Sequence, residues 1–166
     1  MPDSNELQEK FRLAMRRLAT SVSVMTLQDK ETRHGITLTS ATSISMDPSS
    51  MIVCIAKTAA IYASLSEGQG VTISLLTAEQ KEVSEAFAWS KKGEDRFTVG
   101  EWSADPQGRP ILKEAQSNLM GKIEKVVPYG THGVVIISLD AVEIQEQINP
   151  LLYMDGTYLT AQGERI

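Results

Sequence analysis

Cysteine is almost absent from this sequence, since Cys54 is the only one in 166 residues. A disulfide within the chain is therefore impossible, and a cysteine-rich metal site is excluded. Only two histidines occur, His34 and His132, and their wide separation argues against a histidine metal site. Long apolar runs are also absent: the longest, MIVCIA at 51–56, has six residues, whereas a membrane helix needs roughly 20. We therefore expect no metal site and no membrane partner.

The chain has no excess of basic residues, and its formal net charge is −5. This balance argues against non-specific binding to nucleic acid or to an anionic membrane surface. The N-terminal segment MPDSNELQEK is polar and mixed in charge, unlike a signal peptide, so we expect a cytoplasmic protein. With 42% apolar and 22% charged residues, the composition is that of an ordinary globular protein. The length favours a single domain, which we place at residues 1–166.

Hydrophobic periodicity predicts one N-terminal helix followed mainly by strands. A helix is predicted at 6–19 because apolar residues spaced by four, four and three form one face: Leu7, Phe11, Met15 and Leu18. β-Branched and alternating segments predict strands at 21–27, 35–45, 51–56, 71–76, 117–127 and 133–145. The continuous apolar run at 51–56 indicates a strand buried on both faces. We expect Pro128 to end the strand at 117–127. Asp155-Gly156 predicts a type I′ turn inside a hairpin at 149–160.

Two shorter helices interrupt the predicted strands. One is predicted at 57–65 with Thr58 as its N-cap, and another follows the capping box formed by Thr77 and Gln80. The apolar face of the second helix consists of Val83, Ala86 and Phe87. Strands dominate and no βαβαβ alternation appears, which favours a mostly antiparallel barrel with helices on its outside.

Hydroxyl side chains are concentrated in the segment HGITLTSATSISMDP, at 34–48, which carries no charge between Gly35 and Ser45. Alternation along a strand assigns one face to Thr37, Thr39, Ala41, Ser43 and Ser45. The opposite face carries Ile36, Leu38, Ser40, Thr42 and Ile44. Two interpretations stay open: a solvated sheet face, in which threonine is a good strand former, or a surface for a flat neutral ligand.

A second candidate element is the junction of the 51–56 strand and the 57–65 helix. Helix N-termini attract anions, and here Lys57 adds a cation and Thr58 a hydroxyl, which suits a phosphate. Threonine caps and surface lysines are also common without any ligand. Neither the GxGxxG nor the GxxxxGK[ST] nucleotide loop is present.

Five sequence blocks together resemble a known family. They are FRLAMRRLATSVSVMT, GITLTSATSISMDPSSMIVCI, FAWSKKGEDRF, GTHGVVIISLDAVE and NPLLY. Their order resembles that of the short-chain flavin reductases, the reductase components of two-component flavin monooxygenases, over about residues 8–160. The chain departs from the usual family pattern at Ala41, where an aromatic residue is frequent, at Ser74, where Asn is frequent, and at Ser138, where Gly is usual.

The resemblance implies a six-stranded antiparallel Greek-key FMN-binding split barrel with flanking helices, assembled as a homodimer. It implies that FMN or FAD lies against the 35–45 strand, with its phosphate near Lys57 and Thr58. NADH or NADPH is implied to stack over the flavin near the GTH turn and to pass hydride from nicotinamide C4 to flavin N5. The reduced flavin then leaves for a separate oxygenase component, or a bound metal-containing substrate is reduced instead.

The candidate cofactor-binding residues come from the 35–45 strand, from the junction of the 51–56 strand with the 57–65 helix, and from the family resemblance. They are Thr37, Leu38, Thr39, Ser40, Ser43, Ser45, Cys54, Ala56, Lys57, Thr58, Arg96, Phe97, His132 and Tyr153. Two interpretations stay open for His132: a contact with the nicotinamide or a phosphate, or a surface turn residue. Two also stay open for Tyr153: a position near the nicotinamide, or one in the core. Arg96 and Phe97 either contact the nucleotide or serve only to stabilise the fold. Cys54 is expected to be a small buried core residue whose backbone lines the flavin pocket. No acid–base residue is expected, because hydride transfer depends on stacking and distance.

Three functions fit this site. The first is an NAD(P)H-dependent flavin reductase, the second a non-catalytic flavin-binding protein, and the third an oxidoreductase that retains FMN and reduces a corrinoid or ferric chelate. A fixed positive charge near flavin N1 would stabilise the reduced anion. The neutral hydroxyls therefore suit a flavin that must leave after reduction.

Overall fold

The computed structural model describes residues 4–161. The fold is mostly β, as predicted. In chain order the strands are β1 (Thr20–Ser21), β2 (Ser23–Asp29), β3 (Thr32–Leu38), β4 (Thr42–Met46), β5 (Ser49–Ala56), β6 (Gly70–Leu75), β7 (Trp102–Ala104), β8 (Pro110–Leu112), β9 (Ser117–Tyr129), β10 (His132–Ile144), β11 (Leu151–Met154) and β12 (Thr157–Thr160). The α-helices are α1 (Ser4–Met15) and α2 (Lys81–Glu85), and α2 continues into a π-helical turn, Ala86–Ser90. Short 3₁₀ helices occupy Ala60–Ser64, Ala78–Gln80 and Gly93–Thr98.

The central sheet has seven strands in the order β3-β2-β6-β9-β10-β5-β4, and all neighbours are antiparallel. It therefore has one strand more than the six-stranded barrel of the sequence-based expectation. The two edge strands, β3 and β4, are not hydrogen-bonded to each other, yet they are consecutive in the chain. Only residues 39–41 join them. A link this short spans at most about 14 Å, so the sheet curls until its two edges come close together.

Two apolar clusters lie on opposite sides of this curled sheet. Alternation along β2 explains both, because Met25 and Leu27 point into the curl while Val22 and Val24 point outward. The inner cluster also contains Val53, Ile55, Val71, Ile73, Ile123, Val135 and Ile137. The outer cluster packs under α2 and the π-helical turn, and it contains Leu76, Val83, Ala86, Phe87, Phe97 and Leu112.

Several local predictions are confirmed. The capping box of Thr77 and Gln80 is present, and Val83, Ala86 and Phe87 are buried as a helix face. The hairpin β11–β12 turns at Asp155-Gly156, whose φ angles of 52° and 81° are those of a type I′ turn.

The predicted 35–45 strand is wrong, because β3 ends at Leu38 and β4 begins at Thr42. The chain changes from one edge of the sheet to the other here, and the intervening residues 39–41 pair with neither edge. His34, predicted to lie in a loop, is in β3 opposite Leu27.

The 51–56 run, predicted to be buried on both faces, is only partly buried on one of them. Met51, Val53 and Ile55 are buried, but Ile52, Cys54 and Ala56 are partly exposed. Thr58 is not an N-cap: the helix of this segment is a 3₁₀ helix, Ala60–Ser64, capped by Ala59. β9 continues through Pro128, which lies opposite Gly133 of β10. At this end β9 has β10 as its only partner, so a residue without an N–H is tolerated there.

The N-terminal helix forms, but residues 4–161 do not cover its apolar face. It ends at Met15, earlier than predicted, and none of its residues is buried. Leu7, Phe11 and Met15 are 59%, 61% and 44% exposed. Beyond the helix, Arg16 forms an ion pair with Asp155 (Nε–Oδ1 2.7 Å), and this contact joins the end of α1 to the β11–β12 turn. Within residues 4–161 no helix has the length and apolar character needed to cross a membrane.

Candidate functional site

The hydroxyl side chains of residues 37–45 do not form one continuous face. Thr37 points towards α2 and donates a 2.6 Å hydrogen bond to the carbonyl oxygen of Ser84. Ser43 and Ser45 lie on β4, beyond the change of sheet edge, and Ser45 Oγ accepts a hydrogen bond from the Asp47 amide at 3.2 Å. Between them, Thr39 and Ser40 occupy the link between β3 and β4, so they are the hydroxyls at the opening between the sheet edges.

Ser40 connects this link to β5. Its Oγ accepts a hydrogen bond from the Cys54 amide at 3.0 Å and donates one to the Cys54 carbonyl oxygen at 3.2 Å. Leu38, by contrast, is buried in the inner core. Cys54 itself is partly exposed, so the expectation of a buried core cysteine is wrong. Its backbone, rather than its thiol, makes the defined contacts with the link.

A groove of about 530 Å³ lies beside Thr39 and Ser40, and we call it the Thr39 groove. α1 and the segment after it form one wall and the β11–β12 hairpin forms the other. Its lining residues are Phe11, Arg12, Met15, Arg16, Leu18, Thr20, Thr39, Ser40, Tyr153, Met154, Asp155 and Gly156. The surface is largely apolar, and small hydroxylated residues are at the sheet edge, which is a suitable environment for a flat ring.

A second cavity of about 210 Å³ adjoins the groove, and we call it the Trp89 cavity. Thr39 and Tyr153 line both spaces, which are therefore neighbours. The Tyr153 and Tyr158 rings pack edge to face with centroids 5.3 Å apart. The remaining lining residues are Val22, Thr37, Leu38, Ser84, Ala88, Trp89 and Tyr158.

Tyr158 is tied to α2 by a hydrogen bond of 2.8 Å between its hydroxyl and Ser84 Oγ. Burial raises the pKa of Tyr158 above its usual value, and the hydrogen bond to Ser84 opposes that shift only in part. The phenol is therefore protonated at neutral pH. Thr37, Ser84 and Tyr158 thus form a short neutral hydrogen-bonded chain behind the cavity.

A third set of candidates meets where β5 ends beside the β9–β10 turn. Ala56 lies opposite His132, and the Lys57 amide donates to the Thr131 carbonyl oxygen at 3.0 Å. Lys57 Nζ donates to the Gly130 carbonyl oxygen at 2.8 Å, and His132 Nδ1 is 2.9 Å from Thr131 Oγ1. The structure therefore brings Ala56, Lys57 and His132 together. Thr58 is exposed directly after them.

Arg96 and Phe97 are adjacent in sequence but have different surroundings. Arg96 donates to the backbone carbonyl oxygens of Gly35 (2.6 Å) and Lys91 (3.2 Å), and burial lowers the pKa of its guanidinium below the usual value. Phe97 is 7% exposed and packs against Phe87 and Trp102 with ring centroids 5.0 Å away in each case. The Phe97 ring is therefore part of the packed interior, whereas the Arg96 guanidinium connects β3 to the segment after the π-helical turn through its bonds to Gly35 and Lys91.

Three residues of the site were not found by sequence reasoning: Ser84, Trp89 and Tyr158. Ser84 and Tyr158 meet only through the tertiary fold, because they are on α2 and β12. Trp89 did carry a signal, since it lies off the apolar face formed by Val83, Ala86 and Phe87. A large aromatic side chain outside a buried face indicates either an interface or a ligand contact. Among residues 4–161, no cluster of three or more His, Cys, Asp or Glu side chains is arranged to hold a metal ion.

The comparisons with known proteins agree on one family. The family model of the flavin reductase like domain matches residues 15–162. The chain is 32% identical over 155 residues to the reductase component of the FADH(2)-dependent resorcinol hydroxylase from Rhizobium sp. (strain MTP-10005), covering 92% of this chain and 87% of that protein. It is 30% identical over 160 residues to the 4-hydroxyphenylacetate 3-monooxygenase reductase component of Pseudomonas aeruginosa, covering 95% and 94%.

A solved structure supports the same conclusion. The crystal structure of a flavin reductase domain protein from Arthrobacter sp. FB24 superimposes with a TM-score of 0.86 at 25% identity, covering 96% of this chain and 98% of that one. The chain, with its open antiparallel sheet and its groove beside the link between the two sheet edges, belongs to the flavin reductase like domain family.

Proposed function

We propose that this chain is an NAD(P)H-dependent flavin reductase that reduces FMN or FAD and supplies the reduced flavin to a separate monooxygenase component. The family match over residues 15–162 is the observation that carries this proposal. The two relatives are the reductase components of a resorcinol hydroxylase and of a 4-hydroxyphenylacetate 3-monooxygenase, which supports the part that concerns the oxygenase. We propose that the open sheet is the flavin-binding split barrel of a single, cytoplasmic domain. The single-domain assignment covers residues 1–166, of which 1–3 and 162–166 are outside the described residues.

We place the isoalloxazine ring in the Thr39 groove, against the link between β3 and β4. The groove is largely apolar, its volume is about 530 Å³, and Thr39 and Ser40 bring neutral hydroxyls to its edge. Ser43, Ser45, Cys54 and Ala56 do not line this groove, and we propose that they contact the flavin beyond it, along β4 and β5. Arg12 and Arg16 also border the groove, but the Arg16 guanidinium is held by Asp155 at 2.7 Å, and Arg12 pairs with Glu9 at 2.6 Å.

The flavin phosphate is proposed to lie at Lys57 and Thr58. Cys54 contacts the link through Ser40, and Lys57 is three residues further along the chain. That separation is about 10 Å in an extended strand, a distance that a ribityl chain can bridge. Lys57 Nζ has one described hydrogen bond, to Gly130, and therefore keeps donors for an anion.

The pyridine nucleotide is proposed to approach from the side of His132 and Tyr153. When bound, the flavin would supply N5 as the acceptor of the nicotinamide hydride, and the residues of the chain would hold the two rings in stacking distance and exclude water from between them. His132 offers a hydrogen bond to the nicotinamide amide or a phosphate. Lys57 and His132 both lie at the C-terminal end of β5. The flavin phosphate and the pyridine nucleotide are therefore expected to approach each other there.

A homodimer is part of the proposal. The exposed side chains of Leu7, Phe11 and Met15 form an apolar helix face beside the Thr39 groove, and such a face is stabilised when a second subunit covers it. Sedimentation at micromolar concentration should give about twice 18.2 kDa. A monomer that reduces flavin at full rate would contradict the dimer without affecting the reductase assignment.

The test of the function is the oxidation of NADH or NADPH by the purified protein in the presence of free FMN or FAD. Multiple turnovers with either donor are expected, and the flavin should be lost on desalting. A protein that binds flavin but never consumes a nicotinamide donor would be a flavin-binding protein instead. Tight retention of FMN through desalting would favour an oxidoreductase with another acceptor.

A further inference from the structure

Trp89 is an exposed aromatic side chain whose position is not explained by packing. It lies in the π-helical turn Ala86–Ser90, and its residue is 63% exposed, whereas Phe87 in the same turn is fully buried. π-Helical turns are rare and occur frequently at functional sites. The indole lines the Trp89 cavity together with Thr37 and Thr39, at the end of β3 and just after it, so it forms part of the wall of an open, shallow space.

The walls of this cavity suit a planar, uncharged heterocycle. Aromatic surface comes from Trp89, Tyr153 and Tyr158, and hydroxyl groups come from Thr37 and Thr39. No charged residue lines it. A purine base presents a flat aromatic face and a hydrogen-bonding edge, and aromatic side chains bind bases by stacking.

Cations follow directly after the indole. Lys91 and Lys92 lie two and three residues after Trp89, and the Arg96 guanidinium donates to the Lys91 carbonyl oxygen at 3.2 Å. None of these three side chains takes part in an ion pair in the described part of the chain, whereas the nearby acids Glu85 and Glu94 pair with Lys81 and Arg33, respectively. A stacking surface beside cations that no described carboxylate neutralises is the combination that recognises a base attached to phosphates.

We propose that Trp89 stacks on the adenine ring of a bound dinucleotide, with the adjacent cations near the phosphate of its adenosine half. The cavity and the Thr39 groove share Thr39 and Tyr153 as lining residues, so the two spaces are neighbours and a dinucleotide is long enough to place one ring in each. FAD and the pyridine nucleotide both carry the adenosine half that this chemistry recognises. The inference rests on the proposed function, because it takes the other half of the dinucleotide to lie in the groove assigned to flavin reduction.

The experiment compares each dinucleotide with the mononucleotide that lacks adenosine. Trp89→Ala and Trp89→Phe are titrated with FMN and FAD, and their KM values are measured for NADH and for reduced nicotinamide mononucleotide. Trp89→Ala should weaken FAD or NADH, or both, by about five- to hundredfold, the range expected for loss of one base stack. Its effect on the mononucleotides should be less than twofold, and Trp89→Phe should restore most of the loss because it keeps an aromatic face.

The pattern of losses identifies the dinucleotide. A loss confined to FAD assigns the cavity to the flavin adenine, and a loss confined to NADH assigns it to the pyridine nucleotide. The proposal is overturned if no ligand is affected, or if FMN and FAD weaken equally together with both nicotinamide donors. Ile148→Ala is the control, since Ile148 is 74% exposed and lines neither space.

The failure of this inference is distinguishable from failure of the proposed function. Wild-type protein that consumes no nicotinamide donor refutes the reductase assignment before any variant is compared. If the wild-type protein still binds FAD more tightly than FMN, and the Trp89→Ala variant binds the two with equal affinity, the adenine site is confirmed as a binding site without the reductase activity.

Discussion

Replacing Ser40 by Ala should loosen the junction on which both the fold and the groove depend. Cys54 pairs with Val134 of β10 on one side, but β4 first pairs with β5 at Ile52. The Ser40 hydroxyl therefore takes the place of a missing strand residue, bonding both the amide and the carbonyl oxygen of Cys54 at 3.0 and 3.2 Å. Alanine removes both bonds and cannot replace either.

The expected magnitude follows from those two bonds. Each contributes about 0.5–1.5 kcal/mol to the free energy of unfolding, and because both residues are only partly buried, water can replace part of the loss. Ser40→Ala should thus destabilise the protein by about 1–2 kcal/mol, which lowers Tm by about 2–8 °C for a domain of this size.

Calorimetry and chemical denaturation measure the change, and flavin titration measures its effect on the groove. Flavin affinity should fall along with stability, because the link then samples more conformations. Ser103→Ala is the matched control: Ser103 is exposed on β7, and its side chain makes no described hydrogen bond. A Ser40→Ala protein as stable as wild type, with unchanged flavin affinity, would refute the role given to this hydroxyl.

Four further substitutions test other parts of the structure. Thr39→Trp should abolish flavin binding while the circular dichroism spectrum stays native, because the indole fills the groove; unchanged affinity would contradict the ring placement. Lys57→Ala should weaken FMN about tenfold to a hundredfold but hardly affect riboflavin, as expected for a charge-assisted phosphate contact; equal losses would indicate a folding defect. His132→Ala should lower kcat/KM for NADH about five- to thirtyfold in stopped-flow reduction, through loss of roughly one hydrogen bond, with oxidised-flavin affinity nearly unchanged; the reverse pattern would move His132 to the flavin. Arg109→Leu should cost about 3 kcal/mol in urea unfolding, since its buried guanidinium holds the equally buried Asp105 at 2.6 Å; a neutral result would show that apolar packing compensates.

Features encoded in adjacent residues were predictable from the sequence. The capping box of Thr77 and Gln80 and the Asp155-Gly156 turn each depend on local backbone geometry, and both are present. The period of Leu7, Phe11 and Met15 correctly predicted the helix. It did not reveal what covers that face, because periodicity reports amphipathicity and not the identity of the partner.

The change of sheet edge at residues 39–41 could not be predicted from local sequence. The segment 35–45 has strand-forming residues throughout, and nothing in its pattern distinguishes one long strand from two strands on opposite edges. The outcome depends on how seven strands curl, which is a tertiary property. The same change of edge separates Thr37 from Ser43, so the assignment of one hydroxyl face failed with it.

The surroundings of single side chains also depended on distant contacts. Phe97 lies in an aromatic cluster because Phe87 and Trp102 approach it from other elements. Cys54 is partly exposed because β4 pairs with only part of β5. The family resemblance predicted the function, and the structure adds which residues of this chain surround the groove.

Anaerobic mixing of the protein with excess free flavin and a still larger excess of NADH or NADPH tests the central claim most directly. The absorbance of oxidised flavin should disappear over many turnovers, at a rate proportional to protein concentration, with one nicotinamide oxidised for each flavin reduced. The reduced flavin should then pass through a membrane that retains the protein. No acceleration above the protein-free rate, with FMN or FAD and with either donor, would contradict the assignment of this chain as a flavin reductase.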